Sequence, residues 1–321
     1  MDRTARIMTG LDKSMLGIEV APWIAPIAPK AAGYNVRVMD VFDRPTLMAR
    51  AVSDPDYGNR DTSPLEEVDY VGSATQIASS VPVAEHGTFD YIVSSHNFEH
   101  LPNPIKFLHG CQKLLKPGGI LSMAVPDRRS CFDYFRPNTQ LGDWLDAFVQ
   151  DRDRPTPRQV FDLKSQVAYL QKGDKQLRGF AMGVSREAVM LEGDLLGAFK
   201  SCYQDTLDDT YQDSHCTVMS PASLELLLVE TRQLGLVDFR ILEISEPNHH
   251  EFYVRLQFGA LPQSLPDADF KKLRQNLLRR ILKEYGPQAV PYRRDKSKGR
   301  VNAIARRVRS FGRKLRGQPD H

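Results

Sequence analysis

The segment from Phe89 to Pro126 constrains the fold more than any other part of this chain. It begins with a short run of aromatic and β-branched residues, Phe89 to Ser94, and ends with a second apolar run, Ile120 to Val125. Between these runs, apolar residues recur at helical spacing from Ile105 to Leu115, after two prolines and before a Pro-Gly-Gly turn. Two buried strands joined by one helix predict a right-handed crossover within a parallel sheet. Such sheets bind ligands beyond the carboxyl ends of their strands, which here are the loops after Ser94 and Val125.

The motifs in this segment resemble those of class I S-adenosylmethionine-dependent methyltransferases. A Phe-Asp pair opens the first strand, EHLPNP stands at residues 99–104, and LKPGG stands at residues 115–119. They occur in the order and at the spacing of the family's fourth strand, following helix and fifth strand. The resemblance implies an α/β fold with a doubly wound, seven-stranded, mostly parallel sheet in the order 3-2-1-4-5-7-6. It also implies S-adenosylmethionine as the cofactor.

The first forty residues resemble a bacterial, methyltransferase type 11-like subgroup that is associated with glycan biosynthesis. LGIEVAP at residues 16–22 and GYNV at residues 33–36, followed by Asp40, carry this resemblance. Glu19 and Asp40 lie 21 residues apart, close to the separation of the two acidic positions in the family. The resemblance implies that Asp40 accepts hydrogen bonds from both ribose hydroxyls, which a carboxylate is able to do.

The turn after the first strand departs from the family pattern. Ala21 and Pro22 stand where the family has glycines, which let the backbone approach the cofactor closely. Three prolines in residues 22–29 also predict that no regular helix follows the strand. After the third strand, residues 68–71, Ser73 is the expected adenine contact, whereas Asp69 is expected to point elsewhere. The other predicted cofactor contacts are Glu19, Ala21, Pro22, Asp40, Ser95 and His96.

Methyl transfer to a hydroxyl group needs a positioned acceptor and a group that removes a proton. His96 is the predicted base or acceptor-orienting group, and His215 is its predicted catalytic partner. The alternatives are that His96 and Asn97 only line the methionine pocket and that His215 is a buried, hydrogen-bonded histidine. Asn97, Asp127 and Arg128 are the candidate substrate ligands, and a structural loop role is the alternative for Asp127 and Arg128.

Two further histidine motifs are interpreted as structural. The Glu99-His100 pair is predicted to cap the next helix and to bond to the loop. His249-His250-Glu251 is predicted to be a solvated hairpin loop, because adjacent residues in a turn cannot easily present three ligands to one ion. The sequence therefore predicts no metal site.

The predicted organisation has four parts. Residues 1–126 form the cofactor-binding half, 127–215 an inserted helical cap over the active site, 216–262 the completion of the sheet, and 263–321 a basic, amphipathic helical extension. The chain lacks an apolar run of about 18 residues and an apolar signal-peptide segment at its start. Its four cysteines show no CxxC spacing. These features predict a reduced, cytoplasmic setting.

The basic character of the chain is concentrated in its last residues. Residues 293–321 contain eleven Lys or Arg and two Asp, so that the other residues carry a formal charge of about −6 out of the total of +3. An acidic body disfavours nucleic acid as a partner. Residues 293–316 are predicted to contact an anionic membrane surface, peripheral to the inner membrane, with a partly disordered solubilising segment as the alternative.

Subgroup resemblance predicts O-methylation of a sugar or surface-glycan precursor. Two alternatives remain at this point. The first is a catalytically inactive protein of the same fold that acts as a binding or scaffolding subunit in glycan assembly, which Ala21 and Pro22 favour. The second is an RNA methyltransferase with the basic tail as an arm, although no Asn/Asp-Pro-Pro-Tyr-type motif follows the fourth strand.

Overall fold

The computed structural model describes residues 2–53, 61–204, 212–259 and 264–286. Within these residues the main sheet has seven strands in the order β3-β2-β1-β4-β5-β10-β9, and only β10 runs antiparallel to its neighbours. Its strands are β1 Gly17–Val20, β2 Val36–Asp40, β3 Tyr70–Val71, β4 Phe89–Ser95, β5 Leu115–Pro126, β9 Phe239–Ile244 and β10 Glu251–Phe258. When only these strands are counted, the order is 3-2-1-4-5-7-6, which confirms the predicted topology.

The helices pack against this sheet and also build the segment inserted after β5. They are α1 Arg3–Ile7, α2 Arg44–Ser53, α3 Ile77–Ser80, α4 Pro104–Leu114, α5 Leu141–Val149, α6 Pro157–Gln166, α7 Leu195–Phe199, α8 Pro221–Gln233 and α9 Asp267–Tyr285. Three of them, α4, α6 and α8, have proline at the start, where the missing N–H costs nothing. The two longest strands, β5 and β10, pair at the centre of the hydrophobic core.

The connection from β1 to β2 contains no α-helix. Its single regular element is a short 3₁₀ turn, Lys30–Ala32. This confirms the expectation drawn from the three prolines in residues 22–29. On the preceding strand, Gly17 packs against Tyr91 so closely that a side chain at this position would overlap the ring. The absence of a Cβ therefore allows β1 and β4 to share one packed face.

The inserted segment mixes helices with a small sheet, which corrects the prediction of a purely helical cap. A three-stranded antiparallel sheet, order β7-β6-β8, is built from β6 Ala168–Lys172, β7 Lys175–Leu177 and β8 Val189–Leu191. Within this segment the sequence predicts a helical fragment around residues 158–170, but the helix ends at Gln166. Ala168 and Leu170 are buried while Tyr169 between them is only half-buried, the alternation of a strand, and Gly173 at φ 59 makes the hairpin turn.

The chain divides into two compact units, Met1–Ile281 and Leu282–His321. In the second unit the structure describes only the end of α9, the helix that begins at Asp267 within the predicted extension 263–321. The basic segment 293–316 lies outside the described residues, so its membrane contact stays a prediction, as do the boundaries of the four predicted parts. Among the described helices, none combines the length and the apolar character that crossing a bilayer requires. All four cysteines are buried and free.

Candidate functional site

The loop after β1 closes on the side chain of Glu19. Its buried carboxylate accepts hydrogen bonds from the backbone amides of Ile27, at 2.6 Å, and Ala28, at 2.9 Å. Burial raises the pKa of Glu19 to about 7 in spite of these two bonds, because loss of water disfavours the charged form. Glu19 thus shapes the loop, and its predicted direct contact with a cofactor stays a prediction.

Ala21 adopts the backbone conformation for which glycine was expected. Its φ is 50°, and that of Trp23 is also 50°. The carbonyl of Pro22, between them, accepts a hydrogen bond from the amide of Ala25 at 3.0 Å. A non-glycine residue in this left-handed region carries strain of roughly 1–2 kcal/mol. The chain therefore keeps the sharp bend at the end of β1 without the usual glycine.

Asp40 ends β2 with a buried carboxylate. Its Oδ1 accepts a hydrogen bond from the amide of Phe42 at 3.3 Å, and burial raises its pKa. A carboxylate has about four acceptor positions, so Asp40 retains capacity for further donors at this strand end. Ser73 comes immediately before a 3₁₀ turn, and its side chain makes no capping hydrogen bond there.

Asp69 is used within the sheet, as was expected of a residue that points away from the adenine position. Its Oδ2 accepts hydrogen bonds from the amide of Val38 and from Nζ of Lys30, both at 2.7 Å. The carboxylate therefore ties β2 to the segment that precedes β3.

The chain is strained where β4 ends, since His96 has φ 49°. Its Nε2 lies 2.9 Å from Oε2 of Glu251, and its Nδ1 lies 3.4 Å from Oε1 of Glu99. Burial lowers the pKa of His96, but the two carboxylates outweigh burial and raise the pKa to about 9. A ring that is protonated at neutral pH donates hydrogen bonds, which favours the orienting role over the base. Asn97, the next residue, donates to Oγ of Ser94 at 3.2 Å.

The sequence predicted Glu251 to lie in a solvated loop, but the structure places it in the candidate site. It is buried, and it accepts hydrogen bonds from Nε of Arg3 at 2.8 Å and from the hydroxyl of Tyr253 at 2.7 Å, besides the bond with His96. Burial favours a raised pKa, but these hydrogen bonds outweigh it and lower the pKa of Glu251 to about 2. Nη2 of Arg3 donates a hydrogen bond to Oγ of Ser95 at 2.6 Å.

The hairpin prediction for residues 249–251 is therefore wrong for its last member. Glu251 is the first residue of β10 and pairs with Pro126, the last residue of β5. This register brings its side chain to the carboxyl end of the parallel strands. His249 alone is exposed, and His250 lies 5.6 Å from the ring of His96.

Glu99 does not cap α4, so that prediction is also wrong. The cap is Asn103, whose Oδ1 accepts a hydrogen bond from the amide of Lys106 at 3.1 Å. The Glu99 side chain is fully buried, and neither of its oxygens accepts a hydrogen bond within the described part of the chain. Its backbone carbonyl accepts from the amides of Cys216, at 2.7 Å, and Thr217, at 3.0 Å. The loop after β4 is thereby fixed to the segment that leads into α8.

His100 and His215 meet beside Glu99, with ring centroids 4.6 Å apart. Nδ1 of His100 lies 2.9 Å from Oδ1 of Asp213, and Nδ1 of His215 lies 2.5 Å from Oδ2 of Asp133. His215 is buried and hydrogen-bonded, as its structural alternative held, and it also faces the same cavity as His96. Its catalytic role stays a prediction.

Asp133 belongs to a buried ion pair beneath this cluster. Its Oδ1 lies 2.6 Å from Nη1 of Arg136, and Nη2 of Arg136 donates to the carbonyl of His215 at 2.9 Å. Both side chains are almost completely buried. The pair fixes the position of His215 from two sides.

A cavity of about 290 Å³ opens between the strand ends and the inserted segment. Its charged and titratable lining consists of His96, Glu99, His100, Arg178, His215 and His250. The remaining lining includes Phe132 and Cys131 from the start of the inserted segment. The cavity therefore lies where ligands of open α/β sheets bind.

Asp127 and Arg128 hold the beginning of the inserted segment. The Asp127 carboxylate accepts hydrogen bonds from the amide and the guanidinium group of Arg129, at 2.9 and 2.5 Å. Arg128 donates from Nε to the carbonyl of Arg136 at 2.6 Å and from Nη2 to that of Tyr134 at 2.7 Å. These contacts favour the structural alternative over substrate binding, because the same atoms are already engaged.

Three residues of the site had not been identified from the sequence. No sequence motif around Arg3 indicates a site, because a single arginine near a chain end occurs in many structural roles. Glu251 was visible as part of a His-His-Glu run, and Asp133 as an acid within an aromatic segment, Cys131 to Phe135. A buried acid in apolar surroundings needs a partner, and that rule is the signal that would have found both carboxylates.

Residues 10–172, about half of the chain, match a family described as a methyltransferase domain. A ubiquinone biosynthesis O-methyltransferase of Xanthomonas campestris pv. campestris is 36% identical over 63 residues, which cover 19% of this chain and 25% of that protein. The protein with the same description from Azotobacter vinelandii is 27% identical over 117 residues, covering 36% of this chain and 45% of that protein. The chain thus spans between a quarter and just under half of the length of these curated relatives. The crystal structure of a SAM-dependent methyltransferase from Aquifex aeolicus aligns with 80% of this chain and 89% of that one, at 13% identity and a TM-score of 0.38.

Proposed function

The chain belongs to the methyltransferase-domain family, and from this premise we propose that it transfers the methyl group of S-adenosylmethionine to a hydroxyl group of a polar acceptor. The observation that carries the proposal is the buried Asp40 carboxylate at the carboxyl end of β2, 21 residues after Glu19. Dinucleotide- and nucleoside-binding α/β folds use an acidic residue about 20 positions after the first strand to hold the ribose hydroxyls.

The described residues fit this cofactor. Asp40 has acceptor capacity left for two hydroxyl donors after its bond with Phe42. The Ala21–Pro22 bend and the loop that Glu19 holds bring backbone close to the end of β1. When bound, S-adenosylmethionine supplies a methyl group on a positively charged sulfur. The groups that would hold it are therefore Asp40 for the ribose, the bend after β1 for the methionine part, and Ser73 for the adenine.

The side chains around the cavity would bind and orient the acceptor. His96 is held by Glu251, and its protonated ring is able to donate a hydrogen bond to an oxygen atom of the acceptor. Positioning of this kind contributes much of the rate in a displacement that requires alignment of two partners. Phe132 and Arg178 of the inserted segment also line the cavity.

Two observations support oxygen on a polar molecule as the methyl acceptor. The curated relatives carry the description O-methyltransferase. The cavity lining includes four histidines, one glutamate and one arginine, a lining that suits an acceptor with several hydroxyl groups. A sugar or surface-glycan precursor fits these requirements, and it is the acceptor class we propose.

Calorimetry with S-adenosylmethionine tests the cofactor site. Asp40→Asn is expected to weaken binding about 10- to 100-fold, because a charged acceptor for two hydroxyl donors contributes about 1.5–3 kcal/mol. The matched control is Asp43→Asn, which removes the same charge three residues later and keeps a residue able to cap α2. Absence of binding to the unmodified protein at millimolar cofactor would favour the inactive binding protein instead.

The acceptor class is tested by supplying methyl-labelled S-adenosylmethionine with nucleotide sugars, lipid-linked sugar precursors and polyhydroxylated aromatic compounds. We expect label on the sugar compounds. Label on the aromatic compounds alone would contradict the sugar proposal and would leave methyl transfer to oxygen intact. If RNA is supplied as a fourth substrate, label on RNA alone would contradict the sugar proposal and would favour the RNA methyltransferase instead.

A further inference from the structure

Within the described residues, the buried carboxylate of Glu99 has no partner at ordinary hydrogen-bond distance. It is fully buried, and within the described residues neither oxygen accepts a hydrogen bond. The nitrogens that approach Oε1 are Nδ1 of His96 at 3.4 Å and Nε2 of His100 at 3.9 Å. A charged carboxylate in such a site is costly unless a cation compensates it.

The two histidines beside Glu99 are oriented in the way that metal-bound histidines usually are. Nδ1 of His100 is bonded to Asp213, and Nδ1 of His215 is bonded to Asp133. A carboxylate on one ring nitrogen fixes the tautomer in which the other nitrogen, Nε2, has a free lone pair. One potential ligand atom from each of Glu99, His100 and His215 lies within 4.8 Å of the others.

We propose that Glu99, His100 and His215 bind one divalent transition-metal ion, with zinc as the ion that this donor set fits best. Two imidazole nitrogens and one carboxylate oxygen form a ligand set of catalytic zinc sites, in which a further position stays open. All three residues line the cavity, so the open position faces it.

The neighbouring group of His96, His250 and Glu251 also has ligand-type atoms within 4.8 Å of one another, but it is the weaker site. Glu251 already accepts hydrogen bonds from Arg3, His96 and Tyr253. An ion at this position would have to displace the guanidinium group of Arg3, whereas an ion at Glu99 displaces no hydrogen bond of that carboxylate.

The use of the ion rests on the proposed function. A zinc ion with an open position binds a hydroxyl oxygen and lowers the pKa of that hydroxyl. At this site it would hold the acceptor hydroxyl at the ends of β4 and β5, next to His96. Binding of the ion itself does not depend on this use.

The test uses the full-length protein after treatment with a chelator. We expect Co²⁺ to give a visible absorption band at one equivalent and Zn²⁺ to abolish this band by competition. Glu99→Gln and His215→Gln should weaken Zn²⁺ binding by more than the roughly 10- to 100-fold that loss of an outer-sphere partner costs. The matched control is His249→Asn, which removes an exposed histidine at φ 57°, a conformation that Asn tolerates.

Asp213→Asn keeps the test decisive if a buried ligand variant does not fold. The Asp213 side chain is 62% exposed, so the fold should survive, while loss of its charge on Nδ1 of His100 should weaken Zn²⁺ binding about 10- to 100-fold. No Co²⁺ band in the folded protein, or equal affinity in folded Glu99→Gln, would overturn the site. If the ion binds and methyl transfer is the same with and without it, the site stands and its use in the reaction is rejected. Failure to bind S-adenosylmethionine affects the proposed function only.

Discussion

The buried carboxyl group of Glu19 makes the stability of this protein depend on pH. Its pKa is about 7 in the folded protein, against an ordinary value of 4.5. The folded state therefore binds this proton more tightly than the unfolded state does. The resulting stabilisation is complete below pH 4.5 and is lost as the pH rises through 7. One unit of pKa corresponds to about 1.4 kcal/mol, and integration from pH 5 to pH 8 gives a loss of about 2.5 kcal/mol.

The perturbation is Glu19→Gln, which removes the titrating group and keeps its shape. Urea unfolding at pH 5, 6, 7 and 8 measures the free energy of unfolding of both proteins. Relative to the variant, the unmodified protein should lose about 2.5 kcal/mol between pH 5 and pH 8. Gln accepts one fewer backbone hydrogen bond than a carboxylate, but this cost is the same at each pH and does not change the slope.

Glu67→Gln is the matched control, because it removes one carboxylate from a side chain that is 77% exposed. Its unfolding free energy should follow that of the unmodified protein at each pH. If Glu19→Gln also follows the unmodified protein, burial does not control the ionisation of Glu19, and the reasoning is refuted.

Three further predictions concern the backbone and the core, each measured by urea unfolding. Ala21→Gly should stabilise the protein by about 0.5–1 kcal/mol, because relief of strain exceeds the added entropy of the unfolded chain. Ala25→Gly, in the same loop but without a positive φ, should lower the free energy of unfolding by about 0.5–1 kcal/mol. If both substitutions changed this free energy in the same direction and by the same amount, the strain argument would be contradicted. Gly17→Ala should lower the free energy of unfolding by at least about 1–3 kcal/mol, since its Cβ would overlap an aromatic ring. Gly142→Ala is the control, because open space surrounds this position in α5. It should raise the free energy of unfolding by about 0.5–1 kcal/mol. Asp133→Ala should cost about 3–5 kcal/mol, because it leaves a buried guanidinium group unpaired; a loss below 1 kcal/mol would show that this pair is solvated.

The sheet order could be predicted because it depends on local patterns. Each strand from β1 to β5 is a short apolar run followed by a turn or a helix, and the handedness of crossovers leaves few ways to assemble them. The failure within residues 158–170 has a local cause as well, since an apolar alternation of only three residues is easily taken as the end of a helix.

The position of the two acidic residues that are predicted to bind the cofactor could also be inferred from the sequence. Glu19 is the last but one residue of β1 and Asp40 is the last residue of β2, and these strands are parallel neighbours, so both residues lie towards the same edge of the sheet. The sequence did not show that the Glu19 carboxylate accepts hydrogen bonds from the backbone amides of residues 27 and 28. That arrangement depends on the path of a proline-rich loop, for which no periodic pattern exists.

By itself, the sequence determined the fold and the edge of the sheet at which the candidate site lies, and it identified the loop that begins at His96 as part of that site. Only the tertiary structure decided how the charged groups at that edge are paired. Arg3, Glu99, Asp133, His215 and Glu251 come from distant parts of the chain, and none contacts another through local spacing. Burial and hydrogen-bond partners are properties of packing. They decide whether a carboxylate caps a helix, pairs with an arginine or lacks a hydrogen-bond donor. For this reason Glu99 was expected to be a helix cap and is instead the buried carboxylate at the centre of the site.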